Sequence, residues 1–271
     1  VLGFTFMGIA VKYLPRIPTY EKVFFRNSVS LMLSAFILFR EKESIKVEKE
    51  NIPFVFGRSF FGFIGMVANF YALENLTMAE ANMLNKLSPV FVTICACIFL
   101  KERVDKKQVI GIILMLLAVV FVIKPSFSPE VIPSLAGLFS AVLAGFSYTI
   151  IRYLNGKVKS EINVFYFSLL SVVCTFPLMM MNFVKPTLNE FLILLGGIGI
   201  SAAMGQFGLT YAYTFAPASE VSIYNYVIII TSMLMDYVLF STIPDLFSFI
   251  GGFMIMTTAI YLYIHNKKKD N

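Results

Sequence analysis

Apolar residues fill this chain in long blocks separated by short polar breaks, and within the blocks there is no strand-like alternation. Reading blocks against breaks predicts helices over 20–39, 52–73, 78–100, 108–123, 132–153, 162–181, 191–213, 218–240 and 246–264. Most are close to the roughly 17–25 residues that cross a hydrocarbon core about 30 Å thick. The opening VLGFTFMGIAV is too short to cross and reads as the last half of a first helix whose start is missing. The expected fold class is an all-α integral membrane protein of ten transmembrane helices, the first truncated at its N-terminus.

The pattern repeats. Residues 71–110 and 211–250 read as one helix pair written twice without a gap. Tyr71-Ala72 matches Tyr211-Ala212, Glu80 matches Glu220, Asn85 matches Asn225, Asp105 matches Asp245 and Ile110-Gly111 matches Ile250-Gly251, with Gly65 and Gly205 upstream. Five predicted spans separate equivalent positions. Five is odd, so the second copy enters the bilayer from the opposite side, as in secondary transporters built from inverted repeats. The expected organisation is a first five-helix repeat over 1–124, an inverted second repeat over 132–265 and a basic cytoplasmic tail over 266–271.

Composition and charge sharpen this. Hydrophobic residues make up 58% and charged residues 14%, against about 25% charged in soluble domains. The net charge of +6 is a matter of orientation and implies no nucleic-acid partner. Alternate loops and the tail hold fourteen basic residues (Arg40, Lys42, Lys46, Lys49; Lys101, Arg103, Lys106, Lys107; Arg152, Lys157, Lys159; 267–269). The opposite loops hold five, Lys12, Arg16, Lys22, Lys124 and Lys185. The positive-inside rule then places the C-terminus in the cytoplasm, and the N-terminus too if the first helix is complete. The expected address is the plasma membrane. Cys95, Cys97 and Cys174 lie in apolar segments and form no disulfide or zinc pattern. HExxH, P-loop and GxSxG signatures are missing, so an enzyme is not expected. No metal or cofactor is expected either. The expected partners are a small-molecule substrate and the lipid bilayer, with a homodimer left open.

Candidate chemistry lies inside the spans, where an ionisable side chain costs about 2.5–3.5 kcal/mol on insertion scales. Lys86 sits eight residues into the fourth span, and Asn82, Asn85 and Pro89 share its helical face. The functional reading is a cation and two amides lining a cavity; the alternative is a lysine locked to a helix end or to Glu80. Pro89 marks either a kink that opens backbone to the cavity or a packing bend. Arg58, Gly62, Gly65, Asn69 and Ala72 form a small, polar face on the third span, repeated on the eighth by Gly196, Gly199, Ala203, Gln206 and Thr210. Such faces serve a site or a close helix seam. Tyr224, Asn225 and Tyr226 on the ninth span occupy the region matching Asn85 and Lys86, with Tyr226 replacing the lysine. Glu80 and Glu220 stand in first helical turns, where capping explains them as well as proton coupling does. Asp236 is expected at the membrane interface.

The stretch RSFFGFIGMVANFYALENLTMAEANMLNKLSPVFVTICACIFLKERVDKKQVIGIILMLLAVVFVIKP resembles the third to fifth helices of the EamA family, in the drug/metabolite transporter superfamily. The match rests on the turn around Ala79–Ala81, SPVF, FLKER, Gly111 and the terminal LxxxAVVFVIKP. The second copy departs from it at Ile229, in place of Pro89, and at FSTIPD, in place of LKERVD. The resemblance implies a ten-helix, cofactor-free secondary transporter of small metabolites, its cavity lined by the third, fourth, eighth and ninth helices among others. It carries no residue motif over to Lys86 or Arg58. The expected function is alternating-access transport of a zwitterionic or anionic, amino acid-like or nucleotide-like metabolite. In that reading Lys86 and Arg58 neutralise the charge, Asn69, Asn82, Asn85, Asn225 and Gln206 orient the ligand, and Tyr224 and Tyr226 pack it. The alternative is proton-coupled export of cationic amphiphiles through Glu80 or Glu220.

Overall fold

A computed structural model describes the backbone of residues 1–99, 101, 104–123, 131–215 and 218–270, with side chains throughout except at 213–223 and 266–270. The side chain of Glu220 and those of the basic tail therefore lie outside the described residues. In chain order the helices are α1 (Leu2–Tyr13), α2 (Thr19–Arg40), α3 (Ile52–Asn75), α4 (Met78–Asn85), α5 (Ser88–Phe99), α6 (Lys106–Ile123), α7 (Val131–Leu154) and α8 (Ser160–Met181). They continue with α9 (Leu188–Leu192), a π-helical stretch (Ile193–Ile200), α10 (Ser201–Phe215), α11 (Ala218–Phe240) and α12 (Leu246–Asp270). The described residues contain no strand. Among the described residues, eight paths are long and apolar enough to cross a membrane, and Leu2–Tyr13 and Tyr224–Phe240 are shorter apolar helices. The protein is an all-α membrane protein with the ten apolar helical paths that the sequence predicts.

The polar breaks work as capping signals. Thr77 and Glu80 form a capping box at the start of α4, and Thr187 and Glu190 form another at α9. Each box satisfies two backbone N–H groups that a helix start would otherwise leave without partners. Asp105 accepts from the Gln108 N–H at 2.8 Å, and Gln108 accepts from the Asp105 N–H at 3.0 Å. The predicted helix 78–100 is two helices, because the chain turns at Lys86 and Leu87. Pro89 falls in the first turn of α5, where its missing N–H carries no penalty. The predicted helix 191–213 opens wider than an α-helix over the glycine-rich ILLGGIGI. A Cβ on Gly199 would stand 2.5 Å from Val29 Cγ2, and one on Gly197 2.8 Å from the Ala10 Cβ. These glycines bring α2 and α1 close to the π-helical backbone.

Packing joins the two halves of the chain. α3 lies along α7, and α10 with the π-helical stretch lies along α1 in the corresponding arrangement. α2 pairs with α8, α6 with α12, and α4 with α11. The shared core includes Met7, Val11, Phe70, Leu73, Met78, Leu84 and Ile228. Large apolar side chains such as Phe36, Phe39, Leu117, Val173 and Met181 cover the outside, as a lipid-facing surface requires.

Candidate functional site

At the middle of the bundle is a cavity of about 110 Å³, far larger than the roughly 10–15 Å³ that one water needs. Three cations line it: Arg26 from α2, Arg58 from α3 and Lys86 from the break between α4 and α5. Its described lining contains no carboxylate. Asn69, Asn82, Asn85 and Gln206 line it as well, together with Tyr148, Ser140 and Ser147 of α7.

Arg58 is 3% exposed and Arg26 is 5% exposed. Their guanidinium carbons lie 4.2 Å and 5.8 Å from the Phe167 ring centroid, so one aromatic ring serves both. Gly62 makes room for this arrangement. A Cβ there would stand 3.1 Å from Arg58 Nη1 and from Phe167 Cε2. The nitrogens are only partly used. Arg26 Nη1 donates to Asn27 Oδ1 at 3.0 Å and contacts Met66 Sδ at 2.7 Å, and Nη2 reaches Gln206 Oε1 at 3.5 Å. Arg26 Nε, Arg58 Nε, Arg58 Nη1 and Asn69 Oδ1 are buried without hydrogen-bond partners. Buried polar atoms are satisfied in the great majority of cases, and four without a protein partner belong to residues that line this one cavity.

Lys86 closes α4 as its C-cap residue, its backbone N–H donating to the Asn82 carbonyl at 2.9 Å. The turn that follows aims its side chain inward, with Nζ 6.0 Å from the Phe4 ring centroid. The helix breaks ahead of Pro89, and Lys86 at the break lines the cavity. Asn82 Nδ2 donates to Ser232 Oγ and to the Met78 carbonyl, both at 2.9 Å, and Asn85 Nδ2 donates to Ser140 Oγ at 3.1 Å. The two amides thus tie the cation's helix to α11 and α7.

Other expected site residues lie elsewhere. Tyr224 is 67% exposed on the outside of the bundle, so it does not reach the cavity. Tyr226 is buried in the core, and Asn225 is half-buried; neither lines the cavity. Residues two apart on a helix point to nearly opposite sides, so Tyr224 and Tyr226 could not both face inward. Glu80 is engaged as a cap, accepting from Thr77 N at 3.3 Å and Thr77 Oγ1 at 2.9 Å, and from Ser248 Oγ at 2.7 Å. Arg26, absent from the sequence expectation, satisfies the criterion that singled out Lys86: a cation near the middle of an apolar span.

Between the cavity and the end of the bundle that holds the α3–α4 turn, polar pairs cross between helices. Asp236 was expected at the interface but is fully buried. It accepts from the Met78 and Ala79 N–H groups at 3.1 and 2.8 Å, and Lys12 Nζ stands 3.9 Å away. Lys22, counted as a loop residue, sits in the first turns of α2, 1% exposed, and donates to Glu74 Oε1 at 2.7 Å. Arg16 meets Glu190 at 2.6 Å. At the opposite end His265 Nε2 lies 2.7 Å from Asp105 Oδ2. The Gln108 N–H first, and His265 second, hold the Asp105 carboxyl below its usual range.

The comparisons agree with this architecture. The EamA-like transporter family model matches residues 1–124 and again 132–264. The pseudopaline exporter CntI of Pseudomonas aeruginosa is 30% identical over 248 residues, covering 91% of this chain and 86% of that protein. The S-adenosylmethionine uptake transporter of Rickettsia conorii is 26% identical over 269 residues, covering 96% and 88%. Solute carrier family 35 member G1 of Mus musculus is 23% identical over 274 residues, covering 94% and 73%. A solved crystal structure shares the fold at a TM-score of 0.67 and 18% identity, over 97% of this chain and 96% of that one. The chain belongs to the EamA-like transporter family, membrane proteins that move small molecules.

Proposed function

We propose that the protein moves a small metabolite bearing negative charge, anionic or zwitterionic and of amino acid-like or nucleotide-like size, across the plasma membrane by alternating access. The observation that carries this is the set of three inward-facing cations with no carboxylate among the described lining residues. An unpaired buried charge costs several kcal/mol, and a bound anion would offset that cost. Arg26 and Arg58 would take the anionic group beside Phe167, Lys86 would approach from the helix break, and Asn69 and Gln206 would orient the ligand. Two relatives with known cargo carry small metabolites, one as an exporter and one as an uptake system.

The distribution of polar pairs supports a gate at one end. Asp236, Lys12, Lys22, Glu74 and Ser248 link α1, α2, α3, α4, α11 and α12 at the α3–α4 end. Basic loop residues concentrate at the other end, which is therefore read as cytoplasmic. In this reading the protein is shut toward the outside, and substrate exchange runs through the cytoplasmic side until the halves rock.

A thermal-shift screen of the purified protein against anionic, zwitterionic and cationic metabolites tests the reading, each hit being repeated on Lys86→Ala. Stabilisation by an anion or zwitterion that vanishes in the variant is expected. Stabilisation by cationic amphiphiles alone, indifferent to Lys86, would replace the proposal with cation export.

A further inference from the structure

We infer that the transported molecule carries two separated anionic groups on a short body, and is a dianion rather than an amino acid-like zwitterion. This deepens the proposed function and rests on its reading of the cavity as an anion site. Charge balance is the first support. A monoanion leaves two of the three cations uncompensated. A zwitterion leaves all three and adds an ammonium group, for which the described lining offers amide and hydroxyl oxygens but no carboxylate. Desolvated cations without partners are costly, so a ligand with two negative groups is favoured over either.

Placement is the second support. The cations form two stations. Arg26 and Arg58 meet at Phe167, with three guanidinium nitrogens and the Asn69 carbonyl oxygen unpartnered. Lys86 stands apart, beside Phe4 at the α4–α5 break. Measured along antiparallel α3 and α4 from the turn that joins them, Arg58 is about twice as deep as Lys86. At about 1.5 Å per residue this separates their Cα atoms by roughly 13 Å along the helix axes. Their charged ends lie at different rings, Phe167 and Phe4, and a short carbon chain with an oxyanion at each end would join the two stations. The Arg station suits a planar carboxylate or a phosphate, and Lys86 acts as a point charge.

The test is isothermal titration of the detergent-purified chain with succinate, glutarate and adipate, each beside its monoamide, which keeps the shape and removes one charge. 4-Aminobutyrate supplies the zwitterion and phosphoglycolate the phosphate-bearing dianion. At least one dicarboxylate, or phosphoglycolate, is expected to bind about tenfold or more tighter than the monoamides and 4-aminobutyrate, the difference of one charge-assisted contact. Preference for phosphoglycolate would identify phosphate as one of the two groups. In Lys86→Gln the dianion's advantage should shrink to within about threefold, with melting temperature reporting that the variant is folded. Monoamides binding as well as their parent diacids, with affinity still lost in Lys86→Gln, would overturn the dianion and leave the anion site standing. Binding by none of these anions would overturn both.

Discussion

Replacing Asp236 by asparagine tests whether the α3–α4 end is held shut by the residue that crosses it. Both carboxylate oxygens accept backbone N–H groups from the first turn of α4, and Lys12 lies 3.9 Å away. Hydrogen bonds to a charged group contribute about 1.5–3 kcal/mol, and neutral ones about 0.5–1.5 kcal/mol. Asparagine keeps one acceptor, so one of the two bonds is lost and the other weakened. The favourable placement of an anion at a helix N-terminus, about 0.3–2 kcal/mol, goes too. A shift of roughly 2–4 kcal/mol against the shut arrangement follows, about 30-fold to 1,000-fold in population. The assay uses a background with Cys95, Cys97 and Cys174 replaced by serine and Leu73→Cys introduced. Leu73 lines the cavity and is 2% exposed. A membrane-impermeant maleimide applied from outside should label this cysteine at least about tenfold faster with Asp236→Asn. An unchanged labelling rate in a folded variant would refute the assignment of Asp236 as a gate.

Further consequences follow from the same contacts. Arg58→Met removes a buried cation with two unpartnered nitrogens. It should raise the melting temperature of ligand-free protein, by the equivalent of about 1–3 kcal/mol, while abolishing stabilisation by the substrate; a lower melting temperature would mean that the arginine has a structural role. Gly145→Ala places a Cβ 2.4 Å from the Phe91 Cβ and should cost about 1–3 kcal/mol by overpacking the α5–α7 seam, read as a lower melting temperature. Gly208→Ala, where nothing lies within 4 Å, should not lower it. Because the folded-state Asp105 carboxyl lies below its usual range, its contribution is present above about pH 4 and lost as pH falls through the folded-state value. The melting-temperature gap between wild type and Asp105→Asn should therefore narrow in acid.

Much of the fold is legible because the bilayer imposes one rule, a long apolar run for each crossing, and among the described residues eight helices obey it while two shorter apolar helices follow the same pattern. Capping is a local contact, and Thr77 with Glu80 marks the start of α4, although the sequence alone left Glu80 open between capping and proton coupling. Lys86 is legible for a related reason: a cation in an apolar run near a proline is costly wherever it points. Arg26 meets the same condition, a cation eight residues into an apolar helix, and was legible on that ground. Helix rotation is less accessible. Tyr224 and Tyr226 share a segment, but packing against α4 and α12 decides which of them faces inward. Asp236 is hidden for another reason, since its partners are backbone N–H groups of α4, more than 150 residues away in sequence. Nothing near Asp236 signals that contact.

The most direct measurement is counterflow of a labelled anion, chosen from the binding hits, into proteoliposomes containing wild type, Lys86→Ala or Arg58→Ala. Wild-type vesicles should accumulate label against unlabelled anion inside, and both variants should fall to the level of empty vesicles while keeping a cooperative melting transition. Undiminished counterflow in either variant would contradict a substrate path through the cationic cavity.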